Sequence, residues 1–266
     1  MAENGASEKR ATARPSDRPE GTDRPEGTDR PEGTGRPEGT PCWVEAQLSD
    51  VEAGRRFYGE LFGWTFEETT ESLRASLDGE PVAGLVRKTD GRMPTVWTVY
   101  FHTPDARALA GRIREAGGQV VTPPHEVGDL GTSALAADPE GAVFALWEPD
   151  GHPGFGRRHE PGTFAWAELY ARDTDAANAF YGDLFRDALF GPDADPDFGR
   201  APVSGVFPAE MPPHFLVHFL VRDVEAALGT VARLGGRVRV PPFETSYGRA
   251  AVVSDGQGAS FALLQR

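Results

Sequence analysis

A single cysteine, Cys42, excludes an intrachain disulfide, so nothing in the chain asks for an oxidising compartment. A small buried residue is the ordinary role of such a cysteine, and a catalytic thiol the rarer one. Long apolar runs are missing as well. No stretch approaches the ~18 apolar residues of a membrane span, and the N-terminus has no apolar signal core, so the chain reads as soluble and cytoplasmic, without a membrane partner. Lysine is nearly absent: of 27 basic residues only Lys9 and Lys88 are lysines, a bias of GC-rich coding that carries no site information. Positive charge is short overall, with 27 basic residues against 41 acidic ones in a chain of 266. Residues 1–40 hold nine acidic and seven basic side chains, which leaves 32 acidic against 20 basic in the rest. A body so charged repels nucleic acid and anionic membrane. Gly-rich phosphate loops, nucleophile elbows and Cys-x-x-Cys pairs do not occur, which removes the chemistries they serve.

What is present begins with a repeat. Residues 14–40 carry Asp-Arg-Pro-Glu-Gly-Thr at a period of six. Proline and glycine in every unit, with almost no apolar side chain, cannot offset an ordering cost of ~1–2 kcal/mol per residue, so residues 1–40 are expected to be disordered. A multivalent docking tail is the sharper alternative.

Beyond the tail the chain is duplicated. Trp43-Val44-Glu45-Ala46-Gln47-Leu48-Ser49-Asp50 returns as Trp166-Ala167-Glu168-Leu169-Tyr170-Ala171-Arg172-Asp173, and Phe57, Tyr58 and Phe62 return in the same register as Phe180, Tyr181 and Phe185. Each copy opens with an alternating strand, and its Asp is an N-cap for an amphipathic helix. Short strand patterns follow the first helix: Trp64–Glu68, Leu73–Leu77 and Val82–Arg87, with Asp78-Gly79 as a turn between the last two. The same strand, helix, three-strand order recurs from Val96, with Asp105 as cap, and twice more in the second half, where Asp223 caps the last helix. Pro202-Val203-Ser204-Gly205 echoes Pro81-Val82-Ala83-Gly84 there. The reading is an α+β fold of four βαβββ modules in two domains, residues 41–150 and 162–266, joined by a Gly, Pro and His linker at 151–161.

The Asp-x₆-Phe-Tyr helices, the Gly117-Gly118 and Gly235-Gly236 pairs after the second helices, and the run from Asp138 to Leu146 resemble the vicinal oxygen chelate superfamily. Its members include glyoxalase I, extradiol dioxygenases and bleomycin-resistance proteins. The Trp-x-Glu start and the Phe-Tyr-Gly-x-Leu-Phe helix end are similar to two-domain actinobacterial glyoxalase-like proteins. The resemblance implies cupped mixed sheets and, in metal-using relatives, a divalent ion held from the first and last strands of paired units. Seven residues before each cap, the first-strand ligand positions are Trp43, Thr98, Trp166 and Leu216. The last-strand positions fall at Ala145 and Ala262, and near Gly84-Leu85 and Gly205-Val206. None is a carboxylate or imidazole, so no metal and no cofactor are expected.

Strand alternation puts the residues five and three before each cap on the same face as those positions. Glu45, Tyr100, Glu168 and His218 are therefore candidate catalytic groups, while Gln47, His102 and Tyr170 line the same faces as binding groups. Trp43, Trp97 and Trp166 are expected to add flat walls suited to an aromatic ligand. An inward glutamate must pair, protonate or face a wet cavity, and a carboxyl raised by burial is apt for moving a proton beside a carbonyl. His125, His152, His159 and His214 read as structural or surface residues. The expected function is metal-independent proton transfer on a hydrophobic or aromatic small molecule, of isomerase, lyase or cyclase type, in secondary metabolism. Two alternatives stand beside it: a sequestering resistance protein for a cationic drug, and a glyoxalase-type lyase acting on a small aldehyde. Four modules in one chain satisfy their own pairing, so a monomer or weak homodimer is expected.

Overall fold

Four aspartates start four helices. Asp50, Asp105, Asp173 and Asp223 each turn an extended residue into an N-cap, and their carboxylates accept from backbone amides of the first turn. In the computed structural model, which describes residues 36–69, 72–191, 194, 197–208 and 210–266, these helices pack on two mixed sheets. The first module runs β1 (Pro41–Leu48), α1 (Val51–Phe62), β2 (Thr65–Glu68), β3 (Leu73–Leu77) and β4 (Glu80–Arg87). The second runs β5 (Val96–His102), α2 (Ala106–Glu115), β6 (Gln119–Val127), β7 (Gly131–Ala137) and β8 (Val143–Pro149). Together they form one sheet in the order β2-β3-β4-β1-β5-β8-β7-β6. Asp78 and Gly79 both take left-handed backbone (φ 51° and 86°), as the two-residue turn between β3 and β4 requires.

The second half holds β9 (Phe164–Ala171), α3 (Thr174–Leu184), α4 (Arg186–Phe190), β10 (Phe198–Pro202), β11 (His214–Leu220), α5 (Val224–Arg233), β12 (Arg237–Thr245), β13 (Gly248–Ser254) and β14 (Ser260–Gln265). Its sheet has the order β10-β9-β11-β14-β13-β12. The modules thus pair with their chain neighbours. The third module departs from the expected pattern: among the described residues only β10 follows its helices, and Val203–Gly205 is a short 3-10 turn. Gly84 pairs with Glu45 across β4 and β1, whereas the residue opposite Glu168 is Gly199 and not Gly205.

One core serves both sheets. Tyr58 on α1, Phe101 on β5, Tyr181 on α3 and Phe261 on β14 are fully buried in a single apolar cluster. Two reciprocal bonds cross it: Tyr58 donates to Asp255 (2.9 Å) and Tyr181 to Asp138 (3.1 Å). This accounts for the Tyr that follows Phe in each repeat of the duplicated helix.

The last residues of the tail, 36–40, make contacts with the body. Arg36 donates to the carbonyls of Pro153 and Phe155, Thr103 donates to Glu38 (2.6 Å), Arg112 pairs with Glu38, and Gly39 N–H bonds to the His102 carbonyl (2.8 Å). Arg36 and Glu38 find charged or backbone partners on the body, which composition does not reveal. The earlier repeats, in residues 1–35, lie outside the described residues.

Candidate functional site

A cavity of about 280 Å³ opens on the concave side of the first sheet. Its floor comes from β1, where alternation turns Trp43, Glu45 and Gln47 to one side and Val44, Ala46 and Leu48 into the core. Tyr100 reaches it from β5, directly across from Trp43. Tyr100 donates to Glu45 Oε2 at 2.5 Å, and the Trp43 indole lies 3.4 Å from Oε1. Burial raises the Glu45 pKa, against the pull of the hydrogen bonds from Tyr100 and Trp43. Burial, then the neighbouring Glu45, holds the Tyr100 phenol well above its ordinary value, so it stays a donor. Gly84 makes room for this pair: a Cβ there would lie 2.8 Å from Glu45 Cγ and Oε1.

The remaining wall was not legible as a site. Trp147 at the end of β8 lines the cavity. Its indole donates to the His152 carbonyl (2.8 Å), and the His152 ring stands edge-on to Trp43 with centroids 4.5 Å apart. His125 on β6 also lines the cavity. His125 is exposed and His152 buried, in keeping with the surface and structural roles expected of them, and both border the cavity as well. Arg74, Arg87 and Lys88 stand around the same cavity. A glycine in the middle of a strand was the available signal for β4; for His152, brought in from the linker, there was none.

The second sheet has the same start but a different outcome. Glu168 is buried and accepts from Trp166 (3.0 Å) and from Tyr247 (2.7 Å). Tyr170 is packed with Val203, Leu216, Val252 and Ala262, and Phe207 and Met211 close on that cluster. His218 sits opposite Trp166 on β11, so it shares the sheet of Glu168 and not of Glu45. Its Nδ1 has no hydrogen-bond partner among the described residues.

Two expected binding residues lie elsewhere. Trp97 points to the other side of β5 from Tyr100, donates to the Tyr58 hydroxyl (3.2 Å) and packs on Phe219 in the core; an odd step along the strand reverses the face. His102 is buried under the docked segment 36–40 and does not line the cavity.

The possible metal donors that line the cavity, Glu45, the Tyr100 phenol, the Gln47 amide and the His125 and His152 rings, are dispersed around it. No group of three or more His, Cys, Asp or Glu that could hold a metal occurs among the described residues. This donor set does not fit the divalent ion that the fold family implies.

Burial lowers the pKa of both His152 and His218 from 6.5 to about 4. Between those values the unfolded chain binds more protons than the folded one. Stability contributed by the neutral rings is therefore complete above pH 6.5 and is lost as pH falls toward 4, by up to ~3 kcal/mol per ring. Glu45, with its pKa raised, acts in the opposite direction. We expect the urea midpoint to fall between pH 7.5 and 5, and to fall less in His218→Asn. An equal fall in both proteins would remove His218 from the account.

A family model described as a glyoxalase-like domain matches residues 43–147. A putative glyoxylase of Mycobacterium tuberculosis is 34% identical over 254 residues, covering 85% of this chain and 94% of that protein. The anthracycline biosynthesis protein DnrV of Streptomyces peucetius is 34% identical over 254 residues, covering 85% and 92%. Among solved structures, a Mn(II)-bound glyoxalase from Novosphingobium aromaticivorans superposes with a TM-score of 0.57 at 16% identity, covering 85% and 82% of the two chains. The 2,3-dioxygenase LapB from a Pseudomonas species superposes at 0.59 with 14% identity, covering 87% and 94%. These two likenesses concern the fold.

Proposed function

We propose, from the premise that this chain belongs to the glyoxalase-like proteins of the vicinal oxygen chelate superfamily, that its first sheet binds a flat aromatic small molecule and moves a proton on it. The observation that carries the reading is the 2.5 Å contact of Tyr100 with Glu45 at the floor of an aromatic-walled cavity, together with the raised pKa of that carboxyl. Trp43, Trp147 and the edge-on His152 leave a slot suited to ring systems. A carboxylate destabilised by burial is a stronger base than in water.

Glu45 takes a proton from a carbon beside a carbonyl. The C–H electron pair becomes the new C=C bond and the carbonyl oxygen gains the charge; once Glu45 is protonated, the Tyr100 hydroxyl no longer meets a carboxylate and can turn to donate to that oxygen. Return of the proton to a different atom completes an isomerisation; loss of a leaving group or closure of a ring at that stage gives an elimination or a cyclisation. Relatives named for anthracycline biosynthesis support a role in secondary metabolism.

The test is mass spectrometry of the small molecules that the protein retains from an extract of its own cells, made up in deuterated water. The expected result is an aromatic compound that has gained deuterium or changed isomer relative to the extract alone. Retention of an unchanged, undeuterated compound would leave binding and remove the proton transfer.

A further inference from the structure

The cavity's charge opposes that of the protein. The chain carries a formal net charge of −14, yet among the described residues the charged side chains around the first cavity are Arg74, Arg87 and Lys88 against the carboxyl of Glu45. Burial favours the neutral form of that one carboxyl.

The three cations are not equivalent. Arg87 spends Nη1 on the Ser49 carbonyl (2.9 Å), and Lys88 spends Nζ on the Met93 carbonyl (2.8 Å) and Thr95 (3.0 Å). Arg74 is left over. Its Nε is buried with no hydrogen-bond partner among the described residues, and the carboxylate that pairs with it, Glu67, is 3.7 Å away on a side chain 75% exposed. A long pair with so exposed a partner is screened and weak. A guanidinium held only by so weak a pair, with its Nε unbonded at a cavity wall, is a standing demand for acceptor oxygens.

Register shows where such oxygens belong. Arg74 pairs with Gly84, and Gly84 with Glu45, so the three form one row across β3, β4 and β1. Strands lie ~4.8 Å apart, which separates the ends of the row by about 10 Å. Gly84 has no side chain, and that of Glu45 lies across the place one would take. No hydrogen bond joins Arg74 to Glu45. The row thus sets a guanidinium on β3 against a carboxyl that reaches across β4 toward it, with no bond between the two.

We infer that the ligand of this cavity is an acid: a flat aromatic compound whose carboxylate or ionised enol oxygens bind Arg74, with its reacting carbon at Glu45. This rests on the proposal that the cavity takes an aromatic molecule, and adds the ligand's charge and orientation. It also runs against capture of a cationic drug, since an ammonium group would meet three positive side chains.

The test is a fluorescence titration of the full chain with three probes that share one ring system: anthracene-9-carboxylate, 9-anthracenemethanol and 9-(aminomethyl)anthracene. The carboxylate is expected to bind about tenfold more tightly than the alcohol, and the amine more weakly than either. Raising salt from about 50 to about 500 mM should narrow the gap between carboxylate and alcohol. Arg74→Gln should bring the carboxylate to within about threefold of the alcohol while the alcohol changes by less than about twofold; Glu67→Gln should leave the order intact. Equal binding of carboxylate and alcohol by the unaltered protein, or a gap that survives Arg74→Gln, overturns the assignment while the aromatic cavity stands. Failure of all three probes to bind overturns both.

Discussion

Glu45→Gln is expected to lower turnover by about 10²–10⁴-fold, while Glu168→Gln changes it by no more than a few-fold. The two residues occupy equivalent places in the repeat, and both accept an indole N–H from the tryptophan two residues earlier and a tyrosine hydroxyl. Their surroundings separate them. Glu45 borders a cavity, with its pKa raised by burial. Glu168 lies on a sheet whose concave side is filled around Tyr170 by Phe207 and Met211. Glutamine keeps the shape of the side chain and its acceptor oxygen for Tyr100, but it has no proton to exchange at neutral pH, so a loss of turnover with ligand binding retained would identify the carboxyl as the acid and base. In Glu168→Gln a charge-assisted bond from Tyr247 becomes a neutral one, at a cost of ~1–2 kcal/mol in stability. Deuterium exchange into the retained compound and a urea midpoint measure the two quantities on the same samples. The opposite pattern, with Glu168→Gln inactive and Glu45→Gln active, would move the chemistry to the second sheet.

Much of the architecture follows from local rules that the sequence states openly. The four capping aspartates, the alternation of β1 and β9, and the Asp78-Gly79 turn depend on residues near in sequence, and each is found as expected. The site is less legible because its parts come from distant elements. Alternation along β1 and β5 was enough to put Trp43, Glu45, Gln47 and Tyr100 together. The same alternation, applied strictly, also removes Trp97, whose aromatic character had outweighed its position. The Pro-Val-x-Gly string pointed to Gly205 as the counterpart of Gly84, yet backbone pairing selects Gly199, where a Cβ would meet Trp166 at 2.4 Å and Glu168 Oε1 at 2.9 Å. Short strings slide easily, whereas a glutamate lying flat on its neighbour strand demands a glycine at one register only. The difference between the two sheets arises at Val203, Phe207 and Met211, which pack around Tyr170 with no motif to mark them. His152 and Arg36 were invisible because a loop and a tail gain their roles only from the surface they meet.

A large loss of stability is expected for Gly154→Ala, at about 3 kcal/mol or more, against about 1 kcal/mol for Gly79→Ala. Both glycines have left-handed backbone, with φ of 100° and 86°, so both substitutions carry the same conformational penalty. Space distinguishes them. A Cβ on Gly79 meets nothing within 4 Å, while one on Gly154 would lie 2.2 Å from the Cys42 carbonyl oxygen and 3.0 Å from Arg36 Nη1. The first of these is backbone of a central strand and cannot yield, so the loop must lift. Lifting it breaks the Phe155 N–H bond to Cys42 (2.8 Å) and the bonds of Arg36 to Pro153 and Phe155. It also withdraws Phe155 from its stack on Phe164 and both Phe155 and His152 from Trp43. Loss of His152 from the cavity wall should weaken the binding of an aromatic probe by about tenfold, a change Gly79→Ala should not produce. Urea denaturation and probe titration of the two variants separate the effects. Equal losses in both would mean that the contact with Cys42 does not hold the loop, and that the wall of the cavity over Trp43 is fixed by something other than the close passage of these two chain segments.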